Sequence, residues 1–220
     1  MKETAIDVLA YISEHYIGID ELSKLSGASR ERIEELVALR CIPPHSYELN
    51  LQATVKSAFG KYQLNDEPVR FYHRSLADWI HVAETLASKH PLADVSRLVQ
   101  EKFAADIKAQ LGGRPWPWER QIDHAWDFLM DGSFSLCVKE LSVEHMMTKE
   151  LARATIRAIV KPDPDDQLSP NERNMLVETL QDYDSVTLPF SPHEYPESSR
   201  ALEAEAAAKK YQLNDGILAG

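Results

Sequence analysis

Cysteine is scarce in this 220-residue chain: Cys41 and Cys137 are the only two. That is too few for a disulfide scaffold or a Cys-rich zinc module, and free thiols suit a reducing compartment. Glycine is scarce as well. Its eight residues nowhere form a Gly-x-Gly-x-x-Gly or a Walker loop, so no segment offers the backbone cradle that a nucleotide phosphate needs. A Gly-x-Ser-x-Gly nucleophile elbow is also missing. No apolar run approaches the roughly 20 residues that span a bilayer. The opening Met1-Lys2-Glu3-Thr4-Ala5-Ile6-Asp7 lacks the basic start and apolar stretch of a secretory signal. A cytoplasmic protein without a membrane partner is therefore expected. Basic residues are outnumbered, 24 Lys and Arg against 35 Asp and Glu for a net charge of −11. Nucleic acid rewards clustered cations and is not the expected partner.

What is present is enough apolar residue, 44% against 27% charged, for one substantial core, or one core with a small appendage. Ala5, Val8, Leu9, Ile12 and Tyr16 share a face and predict a helix over about 3–16. Asp20 and Ser29 read as caps of two short helices separated by Gly27, the second with Ile33, Leu36 and Val37 on its apolar face. Cys41-Ile42-Pro43-Pro44 closes this helix-turn-helix unit. Between 47 and 74 the helical period fails. Tyr47-Glu48-Leu49, Thr54-Val55-Lys56 and Val69-Arg70-Phe71-Tyr72 are strand candidates for a wing or small hairpin. Helical spacing then returns and dominates the rest, with Gly112 to Pro117 breaking the run and Asp131-Gly132-Ser133 making a turn. Ser169-Pro170-Asn171-Glu172 is a capping box, and an Ala-rich helix over about 197–209 ends the pattern. The hexapeptide Lys-Tyr-Gln-Leu-Asn-Asp occurs twice, at 61–66 and 210–215. The expected fold is mostly α: a winged-helix-like amino-terminal module with a small β hairpin (1–74), then a helical body (75–220).

Residues 17–44 resemble the winged helix-turn-helix head of MerR-type regulators in the Ile17-Gly18 opening, the Glu21-Leu22-Ser23-Lys24-Leu25-Ser26-Gly27 helix, Ser29 and the Pro43-Pro44 exit. The second helix departs from a DNA-reading surface, setting Glu31, Glu34 and Glu35 against Arg30 and Arg32. Over nearly its full length the chain resembles an uncharacterised bacterial family of natural product biosynthesis proteins. Four stretches carry that resemblance: Cys41 to Tyr47, His124-Ala125-Trp126-Asp127, Asp131 to Cys137, and Pro192 to Arg200. Ser135 stands where the family pattern has Gly. The resemblance implies a biosynthetic setting and names neither a reaction nor a cofactor.

Several residues are candidates for chemistry, each with a plainer alternative. His193 with Glu194 matches half of a zinc-protease helix motif, but position 197 is Glu and the flanking prolines exclude that motif. On a loop, His193 and Glu194 can move protons, with Ser198, Ser199 and Arg200 holding an anion beside a helix start. Alternatively these residues only cap and staple the last helix. His124, Asp127 and Asp131, at i, i+3 and i+7, are either a metal half-site or a solvated face. Cys137 is either a buried thiol or a nucleophile. Ser46 and Tyr47 belong to a packed turn or to the lip of a pocket, and Trp116 and Trp118 anchor a core or face a ligand.

From these residues the expected function is that of an enzyme or accessory protein in small-molecule biosynthesis, acting on or binding an anionic small molecule or a carrier-bound intermediate. His193, Glu194 and His124 would do the chemistry, and Arg200, Ser198, Ser199, Ser46 and Tyr47 would bind. The competing expectation is a winged helix-turn-helix regulator or a protein-interaction module. No cofactor and no oligomeric state is indicated.

Overall fold

A computed structural model describes residues 5–50, 52–65, 67–112, 122–163, 166–213 and 217–218. The Trp116-Pro117-Trp118 segment lies outside the described residues, as do the last residues of both hexapeptides and the first four of the chain. The fold is mostly helical with small antiparallel sheets.

Helix α1 (Ala5–His15) turns Tyr11 and Ile12 inward and leads directly into strand β1 (Tyr16–Gly18). Helices α2 (Ile19–Ser26) and α3 (Arg30–Ala38) follow. Gly27 stops α2 in the left-handed region at φ +73°, where a side chain would be strained. The Ser29 hydroxyl caps α3 by accepting the Arg32 amide. The expected Asp20 cap is corrected. Gly18 holds the cap position without a side-chain bond, and Asp20, inside the first turn, pairs with Arg30 instead.

Four strands come next: β2 (Tyr47–Leu49), β3 (Gln52–Ser57), β4 (Gly60–Asn65) and β5 (Val69–His73). β5 is central in a three-stranded antiparallel sheet, with β1 on one side (Tyr16 opposite His73) and β2 on the other (Tyr47 opposite Phe71). β3 and β4 pair only with each other and form a hairpin standing in solvent, with Phe59 at its tip 92% exposed.

The body is α4 (Leu76–Ala87), α5 (Leu92–Leu111), α6 (Ile122–Met130), a 3₁₀ turn at Phe134–Leu136, α7 (Val143–Ile159) and α8 (Pro170–Val186). The capping box forms as its spacing predicts: the Ser169 hydroxyl accepts the Glu172 amide, and the Glu172 carboxylate accepts the Ser169 amide at 2.7 Å. The single helix expected over 197–209 is corrected to a 3₁₀ turn (Tyr195–Glu197), a π-helical stretch (Arg200–Glu205) and α9 (Ala206–Lys210). The widened stretch carries Arg200 to Asp184 on α8 and Glu203 to Arg153 and Arg157 on α7.

Ile17, Leu22, Ile33 and Leu36, before residue 74, share one buried cluster with Leu76, Ile80, Phe103 and Leu129 after it. The segments 1–74 and 75–220 therefore meet across a continuous apolar core. A second cluster joins α7 and α8 to the carboxy-terminal residues through Ile156, Leu180, Tyr183 and Tyr211. No helix among the described residues is long and apolar enough to cross a membrane.

Candidate functional site

Two polar clusters stand out from this apolar frame. The first joins distant parts of the chain around three tyrosines. The Tyr47 hydroxyl donates to Glu194 Oε2 at 2.6 Å, and the Tyr11 hydroxyl to the Pro189 carbonyl at 2.5 Å. The Tyr16 hydroxyl donates to the Ser135 carbonyl at 3.0 Å. Burial pushes all three phenols up, Tyr11 to about 12, and the Glu194 charge beside them acts in the same direction. They are neutral donors at any physiological pH. Ser46 Oγ donates to Ser135 Oγ at 2.8 Å, and Ser135 Oγ in turn to the Gly132 carbonyl at 2.6 Å. Gly132 sits at φ +87°, and a Cβ there would lie 3.5 Å from the His45 carbonyl, so the Asp131–Cys137 turn docks closely on the Pro44–Tyr47 turn.

Tyr47 and Glu194 are thus brought together, with His193 adjacent: its Nδ1 lies 2.5 Å from Ser191 Oγ, and its ring is 44% exposed. Arg200, by contrast, is buried and donates to Asp184 Oδ1 at 2.7 Å and Thr187 Oγ1 at 3.2 Å. Ser199 shares a 2.8 Å bond with the Tyr183 hydroxyl. Ser198 Oγ donates to the Tyr195 carbonyl and accepts the Ala201 amide. These bonds tie the Tyr195–Ala201 stretch to itself and to α8.

The second cluster is a cavity of about 400 Å³ between α6, the 133–137 turn and α7. His124 and Phe128 come from α6, Ser133, Phe134 and Cys137 from the turn, and Lys149, Glu150, Arg153 and Arg157 from α7. Lys149, Arg153 and Arg157 are spaced four residues apart, which puts them along one stripe of the helix. Lys149 and Glu150 are both buried, and Lys149 Nζ donates to Glu150 Oε1 at 2.9 Å. Arg153 donates from Nη1 to Glu150 (3.0 and 2.9 Å) and from Nε and Nη2 to Glu203 (both 2.9 Å). Arg157 gives one bond, from Nη2 to Glu203 Oε1 at 2.5 Å, and its side chain is 53% exposed. Burial opposes the Lys149 ammonium, but neighbouring Cys137 and Glu150 more than offset it and hold its pKa above the ordinary lysine range. Burial raises the Cys137 thiol, so at neutral pH it is a protonated donor toward the Ser133 and Phe134 carbonyls rather than an activated nucleophile.

His124 lines this cavity; His193, Glu194, Arg200, Ser198, Ser199, Ser46 and Tyr47 do not. His124, Asp127 and Asp131 do not gather: Asp127 faces Arg40 at 3.5 Å, and Asp131 accepts the Ser133 amide at 2.8 Å within its own turn. Among the described residues no three His, Cys, Asp or Glu side chains meet in an arrangement that could hold a metal ion. Lys149, Glu150, Arg153 and Arg157 escape a reading of the sequence because charges at helical spacing usually mark a solvated face. The available signal is the four-residue repeat of cations beside the apolar Met146 and Met147.

No curated protein and no solved structure matches the chain. A family of unknown function, DUF6058, matches residues 85–212, more than half of the sequence and all of the cavity's lining. The chain belongs to that family.

Proposed function

We propose that this protein serves natural product biosynthesis, as an enzyme or an accessory protein, by binding an anionic small molecule or carrier-bound intermediate in the α6–α7 cavity. The observation that carries this reading is electrostatic: in a chain of net charge −11, one cavity is lined by Lys149, Arg153 and Arg157 on a single helix stripe. A buried ammonium and a half-buried guanidinium, each held by a carboxylate, form a pre-organised cationic wall, which loses little entropy on meeting an anion. The biosynthetic setting rests on the family resemblance of the four stretches, two of which, His124–Asp127 and Asp131–Cys137, contribute His124, Ser133, Phe134 and Cys137 to the cavity. The test is calorimetric titration of the full chain with organic carboxylates and phosphates. Binding that Arg157→Gln weakens supports the reading, and absence of binding by every anion removes it.

A second reading, a winged-helix regulator or interaction module, is favoured by the order helix, strand, two helices, strand, hairpin, strand, with the first strand beside the last. Its reading helix argues against DNA. Arg30 is paired with Asp20, Arg32 with Glu35 and Glu84, and both partners of Arg32 lie within 2.7 Å. A mobility-shift assay with adjacent intergenic DNA, at low and moderate salt, distinguishes the two. Sequence-specific retention at moderate salt would favour the regulator.

A further inference from the structure

The donors of the cationic stripe are not equally available. Arg153 is committed on both edges of its guanidinium, to Glu150 on one and to Glu203 on the other. Arg157 spends a single N–H on Glu203, and with half its side chain exposed it presents the rest of its fork at the cavity's rim. The charges of the stripe nearly cancel. Three cations, Lys149, Arg153 and Arg157, face two carboxylates, Glu150 and Glu203, which leaves one positive charge for an incoming ligand. The rest of the wall is His124, Ser133, Cys137 and two phenylalanines: Phe128, half exposed, stands edge-on to buried Phe134 with ring centroids 6.4 Å apart.

We infer that the ligand of this cavity is a monocarboxylate with an apolar, ring-sized body, its acid group taken by the rim guanidinium of Arg157 and its body laid against Phe128 and Phe134. This inference rests on the anion-binding reading and narrows it. A guanidinium edge matches the two oxygens of a carboxylate in a pair of parallel bonds. One surplus charge balances a monoanion, whereas a phosphate dianion would leave a net negative charge in a half-enclosed, aromatic-walled space where it is poorly screened. About 400 Å³ lies in the range of small-molecule pockets. Lys149, deeper in the cavity, gives one N–H to Glu150 and engages the Cys137 sulfur, which leaves a third N–H able to donate to a ligand carbonyl or hydroxyl.

The experiment is titration calorimetry of the full-length chain at neutral pH and about 0.1 M salt with four probes: 3-phenylpropanoate, phenyl phosphate, 3-phenylpropan-1-ol and acetate. 3-Phenylpropanoate is expected to bind at least tenfold more tightly than each of the other three. Arg157→Gln should weaken it about tenfold and Phe128→Ala at least threefold, both with parental melting temperatures because each side chain is about half exposed. Phenyl phosphate binding as tightly as the carboxylate, or more so, overturns the inference and leaves anion binding standing. Equal binding of the alcohol, unchanged affinity in Arg157→Gln, or no binding of any probe overturns both.

Discussion

Glu150 is the carboxylate that two cations share inside the protein, and its removal tests whether the α7 stripe is a built site. Its side chain is 4% exposed, that of Lys149 5% and that of Arg153 23%. Glu150→Gln keeps the size of the residue and one accepting oxygen but deletes the charge. Arg153 retains Glu203, whereas Lys149 is left as a buried ammonium without its counter-ion. Removing one partner of a buried pair costs about 3–5 kcal/mol, and the surviving Arg153–Glu203 pair places this case near the lower end. A chain of this length loses about 2–4 °C per kcal/mol, so the melting temperature should fall by about 6–12 °C. Urea unfolding should give the same loss with an unchanged slope. Lys149→Met combined with Glu150→Leu, an apolar replacement of both charges, should recover most of it. The pH dependence has a definite sign. The folded pKa of Lys149 is raised, so its contribution is fully present below the unfolded value of about 10.4 and is lost as pH rises through the higher folded one. The gap between parent and variant should therefore narrow in that alkaline window. A loss below about 1 kcal/mol, or a double variant as unstable as the single one, would refute the reasoning.

Other expectations follow from single contacts. His73 is buried, its Nε2 bonded to the Val138 carbonyl at 3.0 Å and its Nδ1 accepting the Ser75 amide at 3.1 Å, an arrangement only the neutral ring supports. Burial holds its pKa below the ordinary 6.5, so the associated stability is present above that pH and lost as pH falls toward the lower folded value. The melting temperature should drop from pH 7 to 5, and His73→Gln should flatten that slope; an unchanged slope would contradict the assignment. Tyr47→Phe removes a half-buried bond to a carboxylate and should cost about 1.5–3 kcal/mol in chemical unfolding. Ser169→Ala opens the capping box of α8, with an expected loss of about 1 kcal/mol by the same assay. Phe59→Ser, at the tip of a hairpin that stands in solvent, should leave stability within about 0.5 kcal/mol; a larger loss would mean that the hairpin contributes to the core.

Local chemistry explains what the sequence by itself determined. Ser29 and Ser169-Pro170-x-Glu172 start helices because their hydroxyls satisfy amides no helix can satisfy internally, and Gly27 ends one because it alone accepts a left-handed backbone cheaply. Apolar residues at helical spacing likewise foretold α4, α5 and α6, since a helix must bury its apolar stripe. The repeated hexapeptide marks the limit of such reasoning. At Lys61–Asn65 it is a strand, held by cross-strand bonds to β3; at Lys210–Leu213 the same residues end a helix and turn, with Tyr211 and Leu213 buried beside α7 and α8. The four residues described in both copies carry too little intrinsic preference to outweigh their surroundings. The site was hidden for a related reason. Lys149, Arg153 and Arg157 are visible in the sequence as a cationic stripe, but only packing against α6 and the 133–137 turn decides that the stripe lines a cavity rather than facing water. Arg200 looks like an anion hook in sequence because Asp184, its partner, lies on another helix, and Tyr47 meets Glu194 across 147 positions of chain. Contacts at that separation follow from how apolar faces stack, and no local pattern encodes which charges that stacking will bring face to face.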